Sequence, residues 1–525
     1  MKGYLQTIKE LELYCNNSEK SFSIICISNI VLEPFLTPFL KKKFYQENIN
    51  LDVTYVSLEE YRNVKYSKFN LVILWIDHKY KFLDNFDYIE IINFTNDIIH
   101  SIVKITESPL LWIGYNDFDC VYHYIYGYNY KLNSGITNVN YSVATQNDNI
   151  ISINLNSIIT QIGAKRAFDM KNDYKFCFPY TLEVVKSLSD EIFKQYKIIK
   201  GETKKCLVLD CDNVLWGGIL SEDGVENIKL GDMGFGRIYL NFQRFVMSLY
   251  HHGVILAICS KNDLADVLFM FQKHSEMIIK EKHISCFQVN WKSKPDNIKE
   301  IAQKLNIGLD SIVFVDDSIV EIEAVKALLP EVTTILFEYD MDYEQFSCFN
   351  LNNDTNITQV EKRNETYRTN EFREELKSKY LNYADYIQAL DVKIDIHEAL
   401  PIEYNRISEL TQRTNKCTNG KRYTVADIKR HASLNNTKIY TVSVSDRFSD
   451  LGLVGVIEVE DETLTLFSLS CRALGREVED NLLDFVRERH RIKHIEYHFT
   501  GKNESIKAML IKSFPHSTFE KCTKF

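Results

Sequence analysis

No stretch of this chain approaches the ~18 consecutive apolar residues of a membrane-spanning helix. Its 12 cysteines are scattered and contain no C-x-x-C pair, so they read as reduced thiols and not as disulfides or a zinc site. Positive charge is not in excess. The 62 Lys and Arg are outnumbered by 72 Asp and Glu, and the net charge of −10 offers no broad attraction to nucleic acid or an anionic membrane. Internal repeats and low-complexity segments are missing as well. The opening MKGYLQTIKELELYCNN carries Glu and Lys where a secretory signal needs an apolar core, so a cytoplasmic location is expected. What remains is a 525-residue chain, 45% apolar and 26% charged, with the composition of a soluble globular protein of about three domains.

The first 200 residues alternate short apolar runs with helix-length amphipathic stretches. FSIICI (22–27), LDVTYV (51–56), LVILWI (71–76), LLWIGY (110–115) and IISINL (150–155) predict a parallel sheet covered on both faces. A helix over 179–201 closes this domain. The alternation restarts at 206–210, 254–260, 312–317 and 332–337, predicting a second doubly wound α/β domain over 201–345. Residues 350–370 are polar and without an apolar period, which predicts a linker, and 371–390 predict a helix. Linker and helix together span 346–392. A third, α+β domain over 393–525 has strands near 438–446, 452–460 and 463–470 and a helix over 477–491.

In an open parallel sheet, the carboxyl ends of the strands line the ligand crevice. Four acids are expected at such ends, Asp210 and Asp212 in LVLDCDNV and Asp316 and Asp317 in VFVDDS. Clustered carboxylates resist ionising unless a cation sits among them, and a hard divalent ion such as Mg²⁺, together with a phosphate, fits that need. Ser260 and Asn262 in ICSKND would follow another strand as donors to phosphate oxygens. Lys294, before a helix in NWKSKPDN, would supply a neutralising charge. Incidental loop acids are the bland alternative.

This ordered series resembles the haloacid-dehalogenase-like (HAD-like) phosphotransferases. The resemblance implies Asp210 as the nucleophile that becomes an aspartyl-phosphate and Asp212 as the general acid/base. It also implies Ser260, Asn262 and Lys294 as phosphate-binding groups and a Mg²⁺ site formed by Asp210, Asp212, Asp316 and Asp317. The segments 212–237 and 262–294 are too short for a large cap domain, and a capless site suits a bulky or carrier-borne substrate.

In the third domain, Arg472-Ala473-Leu474-Gly475-Arg476 resembles the pyrophosphate turn of Gcn5-related (GNAT-like) acetyltransferases, with Glu477 where that family has a small residue. TGKNESIKAML (500–510), with Lys502 and Asn503, resembles the closing region of the same fold. Cys471 is either a small buried hydrophobe or a thiolate favoured by a helix N-terminus and by Arg472 and Arg476. LTQRTNKCTNGKRYT (410–424) is either a solvated loop or an anion or pantetheine contact through Arg413, Asn415 and their neighbours.

Taken over most of the chain, KKCLVLDCDNVLWGGILSEDG, SKND, NWKSKPDNI, VFVDDS, LTQRTNKCTNGKRYT, DRFSDLGLVGV and SCRALGREVED resemble the FkbH-like proteins. Val214 stands where the family usually has Thr, and Cys417 at a usually aromatic position. The resemblance implies three things. A glyceryl unit is loaded from 1,3-bisphosphoglycerate onto the phosphopantetheine thiol of an acyl carrier protein, with loss of phosphate, in natural-product biosynthesis. Asp210 acts on the ester phosphate. Cys471 takes the acyl group, with Arg413, Asn415, Arg472, Gly475, Arg476, Lys502 and Asn503 around the acyl or pantetheine chain. The N-terminal domain is similar to the family's SGNH-hydrolase-like segment. It shows no Gly-Asp-Ser motif, and Ser28 has no D-x-x-H partner, so a non-catalytic domain is expected. Competing readings are a Mg²⁺-dependent phosphatase for another phosphorylated acyl donor, and a binding protein that has lost the chemistry. No nucleic-acid or membrane partner is expected.

Overall fold

The apolar runs fold into three sheets in a computed structural model that describes residues 20–77, 88–116, 130–147, 150–351 and 357–521. The opening segment 1–17 lies outside these residues, as do residues 352–356 of the expected linker. The chain divides into two compact units, one holding chiefly residues 1–200 and the other Gly201–Tyr423 with Ile428–Cys522. Among the described residues no helix is long and apolar enough to cross a membrane.

In the first unit the five runs become β1 (Ser21–Ser28), β2 (Asn50–Ser57), β3 (Leu71–Trp75), β4 (Leu110–Ile113) and β5 (Ile150–Ile153). They form one parallel sheet in the order β2-β1-β3-β4-β5. Side chains alternate across a strand, so a run such as FSIICI feeds two cores at once. Ile24 and Cys26 face one core with Leu36, Leu40, Leu188 and Ile192. Ile25 and Ile27 face the other with Ile91, Ile98 and Ile102.

The second unit contains two sheets. Its first is parallel, with β6 (Cys206–Leu209), β7 (Ile255–Ser260), β8 (Ile284–Val289), β9 (Ile312–Asp316) and β10 (Thr333–Leu336) in the order β10-β9-β6-β7-β8. β6 is central and buried on both faces, with Leu207 and Leu209 in one core and Cys206 and Val208 in the other. No expected strand corresponded to β8, because Ser285 and Gln288 interrupt its apolar run. Between β6 and the helix Gly236–His251 the chain forms only a short flap, with one helical turn at Leu220–Asp223 and a bridge between Gly217 and Lys229.

The other sheet has β11 (Lys393–Glu398), β12 (Thr437–Ser445), β13 (Asp450–Glu460), β14 (Thr463–Leu469), β15 (His494–Tyr497) and β16 (Thr518–Lys521), in that order. β11 to β14 are antiparallel. β14 and β15 are parallel and pair only at Thr463–His494 and Leu464–Ile495. Beyond that point Asn419 bridges them. It donates to the carbonyls of Thr465 (2.9 Å) and Glu496 (3.0 Å) and accepts from the Phe467 N–H (3.0 Å). The stretch 410–424 is therefore no solvated loop. Thr414, Cys417, Thr418, Asn419 and Tyr423 are buried.

Two expectations between these sheets are corrected. Ile357–Arg368, expected within a linker, is a helix. It shows no apolar period because it buries polar side chains that find backbone partners. Asn364 donates to the His283 carbonyl at 2.7 Å, and Arg363 to the Gly253 carbonyl at 2.7 Å. The helix expected over 371–390 is two helices, Asn370–Ser378 and Tyr383–Leu390, and the Asn382 side chain caps the second by accepting from Ala384 N–H.

Candidate functional site

β6 stops at Leu209, and the Asp210 N–H extends the ladder to the Val315 carbonyl at 3.0 Å. The chain then turns tightly, anchored by the buried side chains of Cys211, Val214, Leu215 and Trp216. Asn213 takes a left-handed conformation (φ 54°), and its side chain accepts from the Gly218 N–H at 3.0 Å. The paired glycines of LWGG are both required. A Cβ on Gly217 would meet the Tyr239 ring at 2.5 Å, and Gly218 has φ +113°.

This turn delivers Asp210 to Lys294 and Asp316. The Lys294 ammonium lies 2.7 Å from Asp210 Oδ1 and 3.1 Å from Asp316 Oδ2, and donates to the Cys259 carbonyl at 2.7 Å. Lys294 is 2% exposed. Burial alone would pull its pKa down, but Asp210, followed by Cys259 and Asp316, outweighs it and holds the ammonium above its ordinary range. Asp316 is pushed up to about 6 by burial and by Asp210, against the pull of Lys294. Burial, then Asp210, also raises Asp317. Carboxylate oxygens of Asp210, Asp316 and Asp317 lie within 4.8 Å of one another. A hard divalent ion held by these three carboxylates would remove the repulsion that raises two of their pKa values.

Asp212 is not part of that trio, which corrects its expected place as a side-chain metal ligand. Its oxygens accept from Trp216 Nε1 at 2.8 Å, the Leu220 N–H at 3.2 Å and Asn262 Nδ2 at 2.9 Å. Burial raises its pKa against those three bonds. An oriented carboxyl group that retains its proton above the ordinary range suits a general acid/base. Ser260 and Asn262 are buried at the end of β7, and Asn262 also donates to Ser260 Oγ at 3.2 Å. Trp216 and the Leu220 N–H, which orient Asp212, were not among the expected site groups. The WGG spacing after the acids was the available signal.

In the third sheet the expected residues part company. Cys471 opens a short 3₁₀ turn, Cys471–Ala473, and not the helix Val478–Arg489. That helix begins after Glu477 in a left-handed conformation (φ 59°) and carries Glu479 and Asp480 in its first turn. The expected anion cradle is corrected accordingly, because acids crowd this N-terminus. Gly475 (φ +71°) serves the turn. Arg476 points inward, donating to the Arg472 carbonyl and lying 3.6 Å from Asp446. Asn503 is fully buried, donating to the Thr418 and His498 carbonyls and accepting from Tyr497 Oη and the Thr500 N–H. Its hydrogen-bonding capacity is used, so it is withdrawn as a ligand contact. Arg413, Asn415, Arg472 and Lys502 do gather with Cys471 around one cleft.

In the first unit Ser28 ends β1 and accepts from the Ile30 N–H at 3.1 Å. Asn29 and Asp77 exchange hydrogen bonds between β1 and β3, and Tyr180 donates to Asp77 at 3.3 Å.

Set beside solved structures, the chain is similar to the N-terminal part of the Bacteroides fragilis protein BF1531, which contains a phosphatase domain and is in complex with Mg. The match covers 63% of this chain and 94% of that one, at 25% identity and a TM-score of 0.56. A HAD-family enzyme of Bacteroides thetaiotaomicron in complex with magnesium covers 27% of this chain and 96% of its own at 14% identity, with a TM-score of 0.20 too low to carry weight. No protein-family model matches the chain, and no curated protein does. In fold, then, the chain is similar to a protein part that contains a phosphatase domain and was solved with Mg, over a larger share of its length than the central parallel sheet and its helices occupy.

Proposed function

We propose that this chain is a Mg²⁺-dependent, HAD-type phosphatase that works within an acyl-loading enzyme. The enzyme moves a glyceryl unit from 1,3-bisphosphoglycerate to the phosphopantetheine thiol of an acyl carrier protein and removes the ester phosphate. The observation that carries the phosphatase half is the buried Asp210–Lys294–Asp316 cluster, with Asp317 beside it and Asp212 separately oriented.

Bound among Asp210, Asp316 and Asp317, Mg²⁺ would neutralise the carboxylates and phosphate oxygens. The chain's own groups do the rest. An Asp210 carboxylate oxygen attacks phosphorus, the P–O ester bond breaks, and Asp212 delivers its proton to the departing alkoxide oxygen. Asp212 then takes a proton from the water that hydrolyses the aspartyl-phosphate. Lys294, Ser260 and Asn262 hold phosphate oxygens. In the third sheet the Cys471 sulfur attacks the acyl-phosphate carbon. The C–O bond to phosphate breaks, phosphate leaves with the thiol proton, and the thioester passes to the carrier thiol.

A carrier-borne substrate agrees with the open site. The segments that follow the carboxyl ends of the central strands present exposed Met233 (88%), Phe235, Trp291 (71%), Val320 and Tyr339, and the described residues between β6 and the helix Gly236–His251 form only the short flap. The GNAT-like reading of the third domain and the SGNH-like, non-catalytic reading of the first belong to the same proposal.

Intact-protein mass spectrometry tests it. With Mg²⁺, 1,3-bisphosphoglycerate and a pantetheinylated carrier protein, a glyceryl adduct on the carrier is expected. Phosphate release without a carrier adduct from any acyl phosphate would reduce the activity to a phosphatase for a different donor.

A further inference from the structure

The cleft beside Cys471 lies at the opposite end of the central sheet from the carboxylates. Lys205 precedes β6, Ile255 opens β7 and Ser311 precedes β9, and all three line it. Five residue steps along β6 separate Lys205 from Asp210, about 16 Å at ~3.3 Å per step. The other wall comes from the helix Ile357–Arg368, the helix Tyr404–Arg413 and the turn at Ser470–Arg472.

Seven Lys and Arg line this cleft and one acid, Glu409. Glu409 is shared between Arg406 (2.6 Å) and Arg413 (3.4 Å), and Lys502 is paired with Asp310. Lys205, Arg363 and Arg472 have no carboxylate at ion-pair distance among the described residues. Their charges meet neutral oxygens alone. Lys205 donates to the Arg413 carbonyl at 2.7 Å, Arg363 to the Gly253 carbonyl at 2.7 Å and Arg472 to Ser470 Oγ at 3.3 Å. Arg363 is 8% exposed, lines the cleft, and its Nε has no hydrogen-bond partner. A buried donor left unsatisfied is costly, and more so when it carries charge. Burial, then Arg413, lowers the pKa of both Lys205 (to about 8) and Arg363 (to about 9), which marks an unbalanced positive field. Cys471 opposes that shift at Lys205, so thiol and ammonium are electrostatic neighbours.

We propose that this cleft is a second phosphate site, separate from the carboxylate cluster, which takes the phosphate of a small phosphorylated acid and holds it beside the Cys471 thiol. A volume of about 110 Å³ gives room for roughly four waters at ~30 Å³ each, enough for a phosphate with a short chain. Planar guanidinium groups match phosphate oxygens through paired N–H···O bonds, and the excess of cations in the cleft suits an anion of more than one charge. A pantetheine arm carries phosphate and thiol at opposite ends, so one cleft of this size cannot take both. The phosphate is therefore the donor's. The site itself stands on the arginine geometry, and only the naming of its ligand as the acyl donor rests on the loading reading above. The separation across the sheet adds that a three-carbon bisphosphate cannot engage both sites at once. Acyl transfer and ester hydrolysis are then successive visits.

Iodoacetamide labelling of Cys471 in the full chain, followed by peptide mass spectrometry, tests the site with inorganic phosphate as probe. Phosphate is expected to slow alkylation at least about tenfold in a saturable way, while chloride at equal ionic strength does not. Asp316→Asn is expected to leave that protection intact. Arg363→Gln, or Lys205→Gln should the first variant fail to fold, is expected to weaken it about 10- to 100-fold. Acetyl phosphate is expected to protect at lower concentration than phosphopantetheine. The proposal is overturned if phosphate never slows labelling, if both folded variants are protected like the parent chain, or if phosphopantetheine protects best. Protection without carrier loading by any acyl phosphate would sink the loading reading and leave the anion site standing. Loading without protection would do the reverse.

Discussion

Asp210→Asn separates the two halves of the proposed reaction. The substitution keeps the shape of the side chain and one acceptor oxygen for Lys294. It removes a charge that lies 2.7 Å from the Lys294 ammonium and also raises Asp316. Breaking a buried ion pair costs ~3–5 kcal/mol when the partner is left alone. Here Lys294 keeps Asp316 at 3.1 Å and the Cys259 carbonyl at 2.7 Å, and one carboxylate repulsion disappears. The net loss of stability is therefore expected within about 2 kcal/mol, a fall in Tm of several degrees. Loss of the nucleophile is a far larger effect. By the scale of other covalent catalysts, hydrolysis of the ester phosphate is expected to fall by about four to six decades, or ~5–8 kcal/mol in activation free energy. Because Cys471 lies at the other end of the sheet, acyl transfer should continue. Intact-protein mass spectrometry of the carrier after reaction with 1,3-bisphosphoglycerate should then show the phosphoglyceryl thioester in place of the glyceryl one. A folded Asp210→Asn enzyme that still produces the dephosphorylated adduct at the parent rate would refute the assignment of Asp210. A folded variant that loads nothing would refute the independence of the two sites.

Two further outcomes are expected. Mg²⁺ should raise the Tm of EDTA-treated protein at neutral pH, because it relieves the repulsion among Asp210, Asp316 and Asp317, and Asp317→Asn should shift the half-saturating Mg²⁺ concentration upward by about tenfold or more. An unchanged Mg²⁺ response in that variant would remove Asp317 from the ion's site. His283 is held down to about 4 by burial and then by Lys282, and its Nδ1 accepts from the Lys280 N–H at 3.1 Å. A depressed His pKa means the neutral ring is the folded form. Its contribution is present above pH ~6.5 and is lost as pH falls toward 4. Urea denaturation from pH 7 to 4 should show that loss in the parent chain and a flatter profile in His283→Gln.

Much of the fold could be read from the chain because its strands are short continuous apolar runs buried on both faces. VLD and VDD were legible as strand ends because acids cannot continue such a run. β8 and the helix Ile357–Arg368 were not legible. Their buried positions hold Ser285, Gln288, Arg363 and Asn364, and only partners distant in sequence make those residues affordable in a core. The same limit applied to Asp212. Its neighbourhood to Asp210 proposed a shared metal, whereas Trp216, Leu220 and Asn262 direct its carboxylate elsewhere.

The sequence by itself determined the chemistry at the carboxyl ends of the central strands, since residue types and their order along alternating strands set which groups meet in the crevice. Tertiary structure alone decided the rest. Asn503 and Arg476 were spent inside the third sheet, and Lys205, Arg363, Arg406 and Arg472 were gathered from four separate segments around Cys471. No local pattern encodes that meeting, because the repulsion among those cations is tolerable only once packing has fixed them around a common space.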